Sequence, residues 1–197
     1  MLQSSRIVLV TLALVAVTAR LPAQEESRPA SKPKRADIYD TKAEGKDLVD
    51  AALKKAARDD KRVLVVWGGN WCGWCHKLHE FFRKSPKVAT ALRAEYEVAW
   101  IDVGTFKDKR NEELAKSYVE KMEGVPFLTV LDSSGKLVAN QETGALEEGD
   151  HHDATKVLAF LEKWQVTPKS AEQVLADGMS RAKAESKMVF FHIGAPW

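Results

Sequence analysis

The segment from residue 63 to residue 86 constrains the fold more than any other part of the 197-residue chain. Residues 63–67 (VLVVW) are a continuous run of β-branched and other apolar residues, typical of a central strand buried on both faces. Residues 68–70 (GGN) predict a turn directly after the strand. From Cys75 onward, apolar residues recur at helical spacing until residues 85–86 (SP) end the helix. A strand, a turn and a helix are therefore expected in immediate succession.

Both cysteines of the chain, Cys72 and Cys75, fall where this helix is expected to begin. A bridge between residues three apart closes too short a loop to stabilise a fold, so the pair indicates reactivity or binding. Unpaired N–H groups and the helix dipole at an N-terminus favour negative charge, which lowers the pKa of the Cys72 thiol. Cys75 is then placed to attack a mixed disulfide formed on Cys72 and to release the substrate. The pattern predicts thiol–disulfide exchange.

Helices and strands are expected to alternate through the rest of the chain as far as residue 164, which predicts an α/β domain. The expected helices cover residues 47–58, 87–92, 111–122 and 154–164, and the expected strands cover residues 96–103, 127–131 and 136–140. Residues 132–135 (DSSG) predict the turn of a hairpin between the last two strands. The order is βαβ, a hairpin and a closing helix.

Residues 43–165 resemble the thioredoxin superfamily. The resemblance rests on Trp71 with the CGWC motif (Cys72-Gly73-Trp74-Cys75) after a buried strand, and on residues 124–126 (GVP), which lie where the family carries a cis-proline loop. Residues 85–88 (SPKV) also resemble exported members of the family, and Gly144 resembles the family's glycine after the last strand. The resemblance implies a thioredoxin fold, with a central mixed β-sheet and helices on both faces.

The resemblance also implies roles for individual residues. Cys72 would be the nucleophile, Cys75 the resolving thiol and Pro126 the residue that positions the substrate. The implied substrate-contact surface consists of Trp71, Gly73, Trp74, Val125 and Pro126. The expected partners are protein thiols or disulfides and a redox partner, with no cofactor beyond the redox-active disulfide and no metal. Reductase, oxidase and isomerase activity all stay open, because they differ by small changes in thiolate stability.

The chain departs from the family pattern near the second cysteine. Val66 and Val98 stand where the family commonly buries an aspartate and a lysine that assist proton transfer, and Glu80 stands where a proline usually kinks the helix. The group that handles the proton of Cys75 is therefore either solvent or another residue.

Two further chemistries and one inert alternative compete for the same cysteines. Cys72 to His76 also satisfies the Cys-x-x-Cys-His pattern for covalent c-type haem, although the flanking α/β pattern provides no haem pocket. With His79 the pattern becomes Cys-x-x-Cys-His-x-x-His, whose side chains are all potential zinc ligands. Neighbouring positions on one short helix do not easily surround a tetrahedral metal ion, so a zinc site is not favoured. A thioredoxin fold with an inert disulfide, acting as a binding or scaffold module, is the non-enzymatic alternative. Otherwise His76 is expected to tune the thiolate, and His79 is expected to be an exposed polar position on the helix. Residues 151–152 (HH) are expected to be solvated.

Residues 1–23 predict a cleavable signal peptide. A positively charged start precedes the apolar residues 7–19, and residues 21–23 (LPA) end in a small residue. The apolar run is shorter than the roughly 20 residues of a spanning helix, so a permanent membrane anchor is the weaker alternative. Residues 24–42 are expected to be a flexible linker, and the mature protein to be periplasmic or secreted.

Charge limits the partners of the mature protein. Arg6 and Arg20, both in the predicted signal peptide, account for the net charge of +2. The remainder is neutral and mixed in sign, which argues against nucleic acid or an anionic membrane as the main partner.

The C-terminal residues indicate an internal repeat. Residues 166–172 predict a linker, and residues 173–197 align without a gap on residues 47–71, with Lys187 matching Lys61 and Trp197 matching Trp71. A helix, an apolar strand over residues 188–193, a glycine turn and a tryptophan recur in order. We therefore expect a second, truncated thioredoxin-like domain from residue 173, and a natural protein that continues past Trp197.

Overall fold

A computed structural model describes residues 35–192, and these contain a four-stranded sheet with strand order β2-β1-β3-β4. Strand β1 pairs in parallel with β2, while β3 runs antiparallel to both β1 and β4. The strands are β1 (Arg62–Gly68), β2 (Tyr96–Asp102), β3 (Phe127–Leu131) and β4 (Leu137–Glu142). The central mixed sheet is confirmed. The continuous apolar run of β1 is buried because the strand has a neighbouring strand on each side and both of its faces are covered.

Helices cover both faces of this sheet, as expected. They are α1 (Gly45–Asp59), α2 (Gly73–Lys84), α3 (Pro86–Glu95), α4 (Glu112–Tyr118) and α5 (Ala154–Trp164). A sixth helix, α6 (Ala171–Ala184), follows α5 and has no buried residue. Alternate residues of β1 belong to two separate hydrophobic cores, since successive side chains of a strand point to opposite faces of the sheet. Leu64 and Val66 pack with α2, α3 and α5, whereas Val65 and Trp67 pack with α1 and α4.

Helix α4 is shorter than the sequence predicts. The expected helix over residues 111–122 begins at Glu112, because Asn111 adopts a left-handed conformation with φ of 50°. It ends at Tyr118, since Val119 is extended and buried in the α1-side core. Val119 and Met122 suggested a further helical turn, but residues 119–122 instead belong to the loop that leads to β3.

The end of the predicted N-terminal linker packs on the domain. Within residues 24–42, Tyr39 is only 2% exposed, and the main-chain N–H groups of Ile38 and Tyr39 both donate to Asn70 Oδ1. The domain therefore includes residues before the predicted boundary at 43. The predicted signal peptide lies outside the described residues.

The C-terminal segment forms the expected helix but not the expected strand. Ser170 and Gln173 form a capping box that begins α6. Residues 188–192 are not part of a strand, and Met188 and Phe190 are 98% and 89% exposed. A strand cannot form there without partners to pair with. The partial second repeat is not shown and stays a prediction, because residues 193–197 lie outside the described residues.

None of the helices within residues 35–192 combines the length and the apolar character that a membrane-spanning helix needs.

Candidate active site

The two cysteines lie at the start of α2, as the sequence predicts, and are joined in a disulfide. Cys72 is the N-cap residue, and its Sγ accepts a hydrogen bond from the backbone N–H of Cys75 at 3.1 Å. The backbone amide groups that begin α2 therefore point at this sulfur. A thiolate on Cys72 would be stabilised by the same N–H groups.

Burial separates the roles of the two sulfurs. Cys75 is fully buried, whereas Cys72 keeps 5% of its surface exposed next to Trp71, which is 53% exposed. Of the two cysteines, Cys72 is therefore the more exposed.

The loop before β3 faces the disulfide. The peptide bond between Val125 and Pro126 is cis, and the Val125 carbonyl oxygen lies 3.5 Å from Cys72 Sγ. Thr143 Oγ1 donates a 2.7 Å hydrogen bond to the Pro126 carbonyl, which fixes the loop from the side of β4. The structure thus brings the Cys pair and the loop together. Thr143 was not singled out from the sequence, because its partner is 17 residues away.

A groove of about 590 Å³ opens beside Cys72. Trp71 and Val125 form the wall nearest to the disulfide, and the Trp71 indole N–H donates to the Gly104 carbonyl at 2.6 Å. Further apolar lining comes from Val103, Phe106, Ala115, Val119 and Met122, with a rim that contains Lys109, Arg110, Lys116 and Lys121. A smaller cavity of about 270 Å³ lies beside Trp74 and Pro126. The disulfide is therefore flanked by sites on the Trp71 side and on the Trp74 side.

The histidines of α2 contact residues other than the sulfurs. His76 Nε2 lies 2.9 Å from the Asn70 carbonyl oxygen, and the His79 ring packs edge-on against Trp100 at 5.1 Å between centroids. Burial lowers the pKa of His79. His79 is half-buried rather than exposed as a polar helix position would be. The His76 ring is hydrogen-bonded to Asn70 rather than to either sulfur, so the expected effect of His76 on the pKa of the Cys72 thiol stays a prediction.

His152 is buried, contrary to the expectation that residues 151–152 are solvated. It is 2% exposed, and its ring packs edge-on against Trp74 at 5.4 Å between centroids. The polar sequence around it predicted a solvated loop, but β6 (His151–His152) pairs with β5 (Glu147–Glu148) and turns alternate side chains inward. His152 therefore supports the Trp74 side of the motif.

Burial lowers the pKa of His152, so the folded state binds its proton less tightly than the unfolded chain does. We expect stability to be lost as the pH falls through the unfolded pKa of about 6.5. Urea unfolding above and below that pH should show a smaller loss in His152→Leu than in the natural protein. The exposed neighbour supplies the control, and His151→Gln should keep the full loss. An equal pH dependence in all three proteins would contradict the assignment.

Asp102 is a buried carboxyl group near the turn. It ends β2 opposite Gly68 and is 5% exposed. Burial raises its pKa, and Arg110 Nε, 3.7 Å from Oδ2, acts in the opposite direction. Val66, where the family carries an aspartate, instead lies in the apolar core with Val98 packed against that core. Over residues 35–192, no group of three or more His, Cys, Asp or Glu residues is arranged to hold a metal ion.

Comparisons with known proteins agree with this geometry. The family model described as "Thioredoxin-like domain" matches residues 49–161. A solved structure of a disulphide isomerase from Xylella fastidiosa Temecula1 is 31% identical, and the match covers 64% of this chain and 95% of that chain with a TM-score of 0.56.

Two further solved structures are more weakly similar. The C-terminal domain of DsbD from Neisseria meningitidis in its oxidised form is 24% identical, with 66% of this chain and all of that chain covered and a TM-score of 0.46. A thioredoxin from Thermus thermophilus is 22% identical, with 57% and 80% covered and a TM-score of 0.44. The curated proteins contain no significant match. The matched model spans more than half of the chain, and the chain belongs to the thioredoxin-like family.

Proposed function

We propose that the protein is a thiol–disulfide oxidoreductase that acts on protein thiols or disulfides outside the cytoplasm through Cys72 and Cys75. One observation carries the proposal: a disulfide at a helix N-terminus joins Cys72, which is 5% exposed, to the fully buried Cys75, and the Val125 carbonyl lies beside Cys72 Sγ. The similar protein from Xylella fastidiosa is described as a disulphide isomerase, which supports the same class of reaction.

The exchange proceeds in two balanced steps. The Cys72 thiolate attacks one sulfur of a substrate disulfide, the substrate S–S bond breaks, and the other substrate sulfur leaves as a thiolate. Cys75 then loses its proton and attacks Cys72 Sγ, which forms the Cys72–Cys75 disulfide and releases the second substrate thiolate. The substrate gains two electrons and the protein loses two. A dithiol substrate runs the same steps in reverse, and a redox partner restores the starting state.

The surfaces around the disulfide fit an extended polypeptide substrate. The backbone of Val125 lies beside Cys72 Sγ and offers a main-chain partner, while the exposed Trp71 ring and the groove beside it offer apolar contact. Trp74 and Pro126 line the second cavity, and the exposed Gly73 lies between Cys72 and Trp74. Export follows from the predicted signal peptide, and an oxidising compartment suits a chain whose two cysteines are paired.

The test is a redox titration combined with an activity assay. The protein is equilibrated in glutathione buffers, free thiols are labelled, and catalysed reduction and reoxidation of a disulfide-containing model protein are measured. We expect one reversible two-electron couple between about −270 and −120 mV, the range of thiol–disulfide oxidoreductases, together with catalysis above the buffer rate. A disulfide that stays oxidised throughout and gives no catalysis would favour the scaffold alternative. Covalent haem on protein exported from a haem-attaching strain would favour the Cys-x-x-Cys-His alternative.

A further inference from the structure

The Tyr39 hydroxyl is a buried polar group with no hydrogen-bond partner among the described residues. The side chain is 2% exposed and belongs to one buried cluster with Cys72 and Cys75. Buried hydroxyl groups are almost always paired, so an unpaired one calls for a functional explanation. The mechanism described above does not use this group.

The hydroxyl lies close to the resolving cysteine. A Cβ atom built on Gly68 would lie 2.2 Å from Tyr39 Oη and 2.7 Å from Cys75 Sγ. The two atoms are therefore at most about 4.9 Å apart, the sum of these distances. Gly68 has no side chain that could separate Tyr39 Oη from Cys75 Sγ. Tyr39 supplies the only hydroxyl in the cluster formed by Tyr39, Cys72 and Cys75 with Ile38, Trp74, Trp100 and Val125.

Several contacts hold the tyrosine in this position. Asn70 Oδ1 accepts from the N–H groups of Ile38 and Tyr39 at 2.8 and 2.9 Å, and Asn70 Nδ2 donates to the Tyr39 carbonyl at 2.9 Å. The tyrosine ring packs edge-on against Trp100 at 5.6 Å between centroids. Since Asn70 belongs to the turn that leads into the CGWC motif, Tyr39 is fixed relative to the cysteines.

We propose that Tyr39 is the hydrogen-bond donor that stabilises the Cys75 thiolate when the Cys72–Cys75 disulfide opens. The inference rests on the proposed exchange function and names the group that serves Cys75 in it. When an external thiolate attacks Cys72 Sγ, the intramolecular S–S bond breaks and Cys75 leaves with the electron pair. The new thiolate accepts a hydrogen bond from the Tyr39 hydroxyl, which has no hydrogen-bond partner while the disulfide is closed. In the opposite direction the same bond stabilises Cys75 as it loses its proton and attacks Cys72.

Tyr39 acts as a donor rather than a base. Burial raises its pKa far above the ordinary value and the charge of Asp102 adds to this, so the hydroxyl keeps its proton. The proton that Cys75 loses goes to the departing substrate thiolate or to water. Other titratable groups around the cluster are Asp102 at the end of β2, with Arg110 beside it, and His76 and His79 on α2. On the Trp74 side they are His152 and Lys77, which both contact the indole ring. A negative Asp102 opposes a thiolate nearby, which makes a donor at Cys75 more necessary.

The first experiment measures the pKa of Cys75 directly. In Cys72→Ser, Cys75 is the only thiol, and the ultraviolet absorbance of the thiolate is followed against pH with and without Tyr39→Phe. Loss of a hydrogen bond to a charged group should raise the pKa of Cys75 by about 1–2 units. The matched control is Tyr118→Phe, at a half-buried tyrosine on the opposite face of the sheet, which should leave that pKa unchanged.

The second experiment measures the resolution step. Each unit by which the pKa of Cys75 rises makes the thiolate fraction tenfold smaller, but the remaining thiolate is more nucleophilic. The net loss in the rate of resolution is therefore about threefold per pKa unit. Decay of a mixed disulfide on Cys72 should therefore slow by roughly 3- to 10-fold in Tyr39→Phe near neutral pH. At a pH above both pKa values of Cys75 the order should reverse, and the variant should decay about 3- to 10-fold faster, because both thiols are then fully ionised and the less stabilised thiolate is the more nucleophilic. A merely structural role would slow decay at every pH.

The natural tyrosine provides a readout that does not depend on the folding of the variant. With carbon-13-labelled tyrosine in Cys72→Ser, the Tyr39 Cζ signal should titrate together with Cys75, and the Tyr118 signal should not. An unchanged Cys75 pKa in Tyr39→Phe, or a Tyr39 signal that ignores the titration of Cys75, would overturn the proposal. Neither measurement needs catalysed exchange, so failure of the proposed function is scored separately.

Discussion

Replacing Cys72 by serine is expected to lower the turnover of protein disulfides by about a thousandfold or more, to the uncatalysed rate. Cys72 carries the partly accessible sulfur, and the buried Cys75 offers external substrates no alternative nucleophile. Cys75→Ser should lose turnover equally but accumulate a mixed disulfide on Cys72, because the first step remains and the second is removed. Turnover is measured on a model protein, and adducts by mass spectrometry of acid-quenched samples.

The two serine variants are matched controls for each other. Both lose one sulfur from the same cluster, so a difference between them reports the order of attack and not the loss of packing. Adducts that accumulate with Cys72→Ser and are absent with Cys75→Ser would reverse the roles of the two cysteines.

Gly68→Ala is expected to destabilise the oxidised protein by about 1–3 kcal/mol, because there is no room for a side chain at the end of β1. The new Cβ would lie 2.2 Å from Tyr39 Oη and 2.7 Å from Cys75 Sγ. Tyr39 is held by Asn70, so the clash also displaces the resolving sulfur. A displacement of 1 Å in a reacting group costs up to about a hundredfold in rate. Stability is measured by urea unfolding and activity by the same turnover assay.

Gly178→Ala is the matched control for this substitution. Gly178 lies inside α6, and a Cβ there would meet only Val189 Cγ1 at 3.8 Å, an ordinary contact. Alanine in a helix interior is more favourable than glycine by roughly 0.5–1 kcal/mol, so stability should hold or rise and turnover should not change. If Gly68→Ala behaved like Gly178→Ala, the close approach of Tyr39, Gly68 and Cys75 would be wrong.

Local patterns predicted the parts of the site that are contiguous in sequence. The apolar run of β1, the turn after it and the first residues of α2 are adjacent along the chain, so periodicity and turn residues alone place Cys72 at a helix N-terminus. Pro126 was located by the family resemblance, and its approach to Cys72 needs the pairing of β1 with β3.

Residues that join the site from a distance were not predicted. Tyr39 and His152 come from polar-looking stretches whose composition suggested solvent exposure, and both are buried by tertiary contacts far along the chain. Helix α4 was overextended for a related reason. The apolar residues after Tyr118 fit a helical pattern, but Val119 is buried as extended chain in the core beside α1. Burial set by the whole fold overrides a local pattern in each case.

The hydrogen bonds between Asn70 and residues 38–39 tie the evolution of two distant segments together. Asn70 accepts from two N–H groups through Oδ1 and donates to one carbonyl through Nδ2, and neither a carboxylate nor an alkyl group can do both. A change at Asn70 would release Tyr39, and a lineage that lost Tyr39 would lose one reason to keep the asparagine. Aligned relatives should therefore gain and lose the two residues as a pair, and homologues that lack both should carry a different polar group beside the second cysteine.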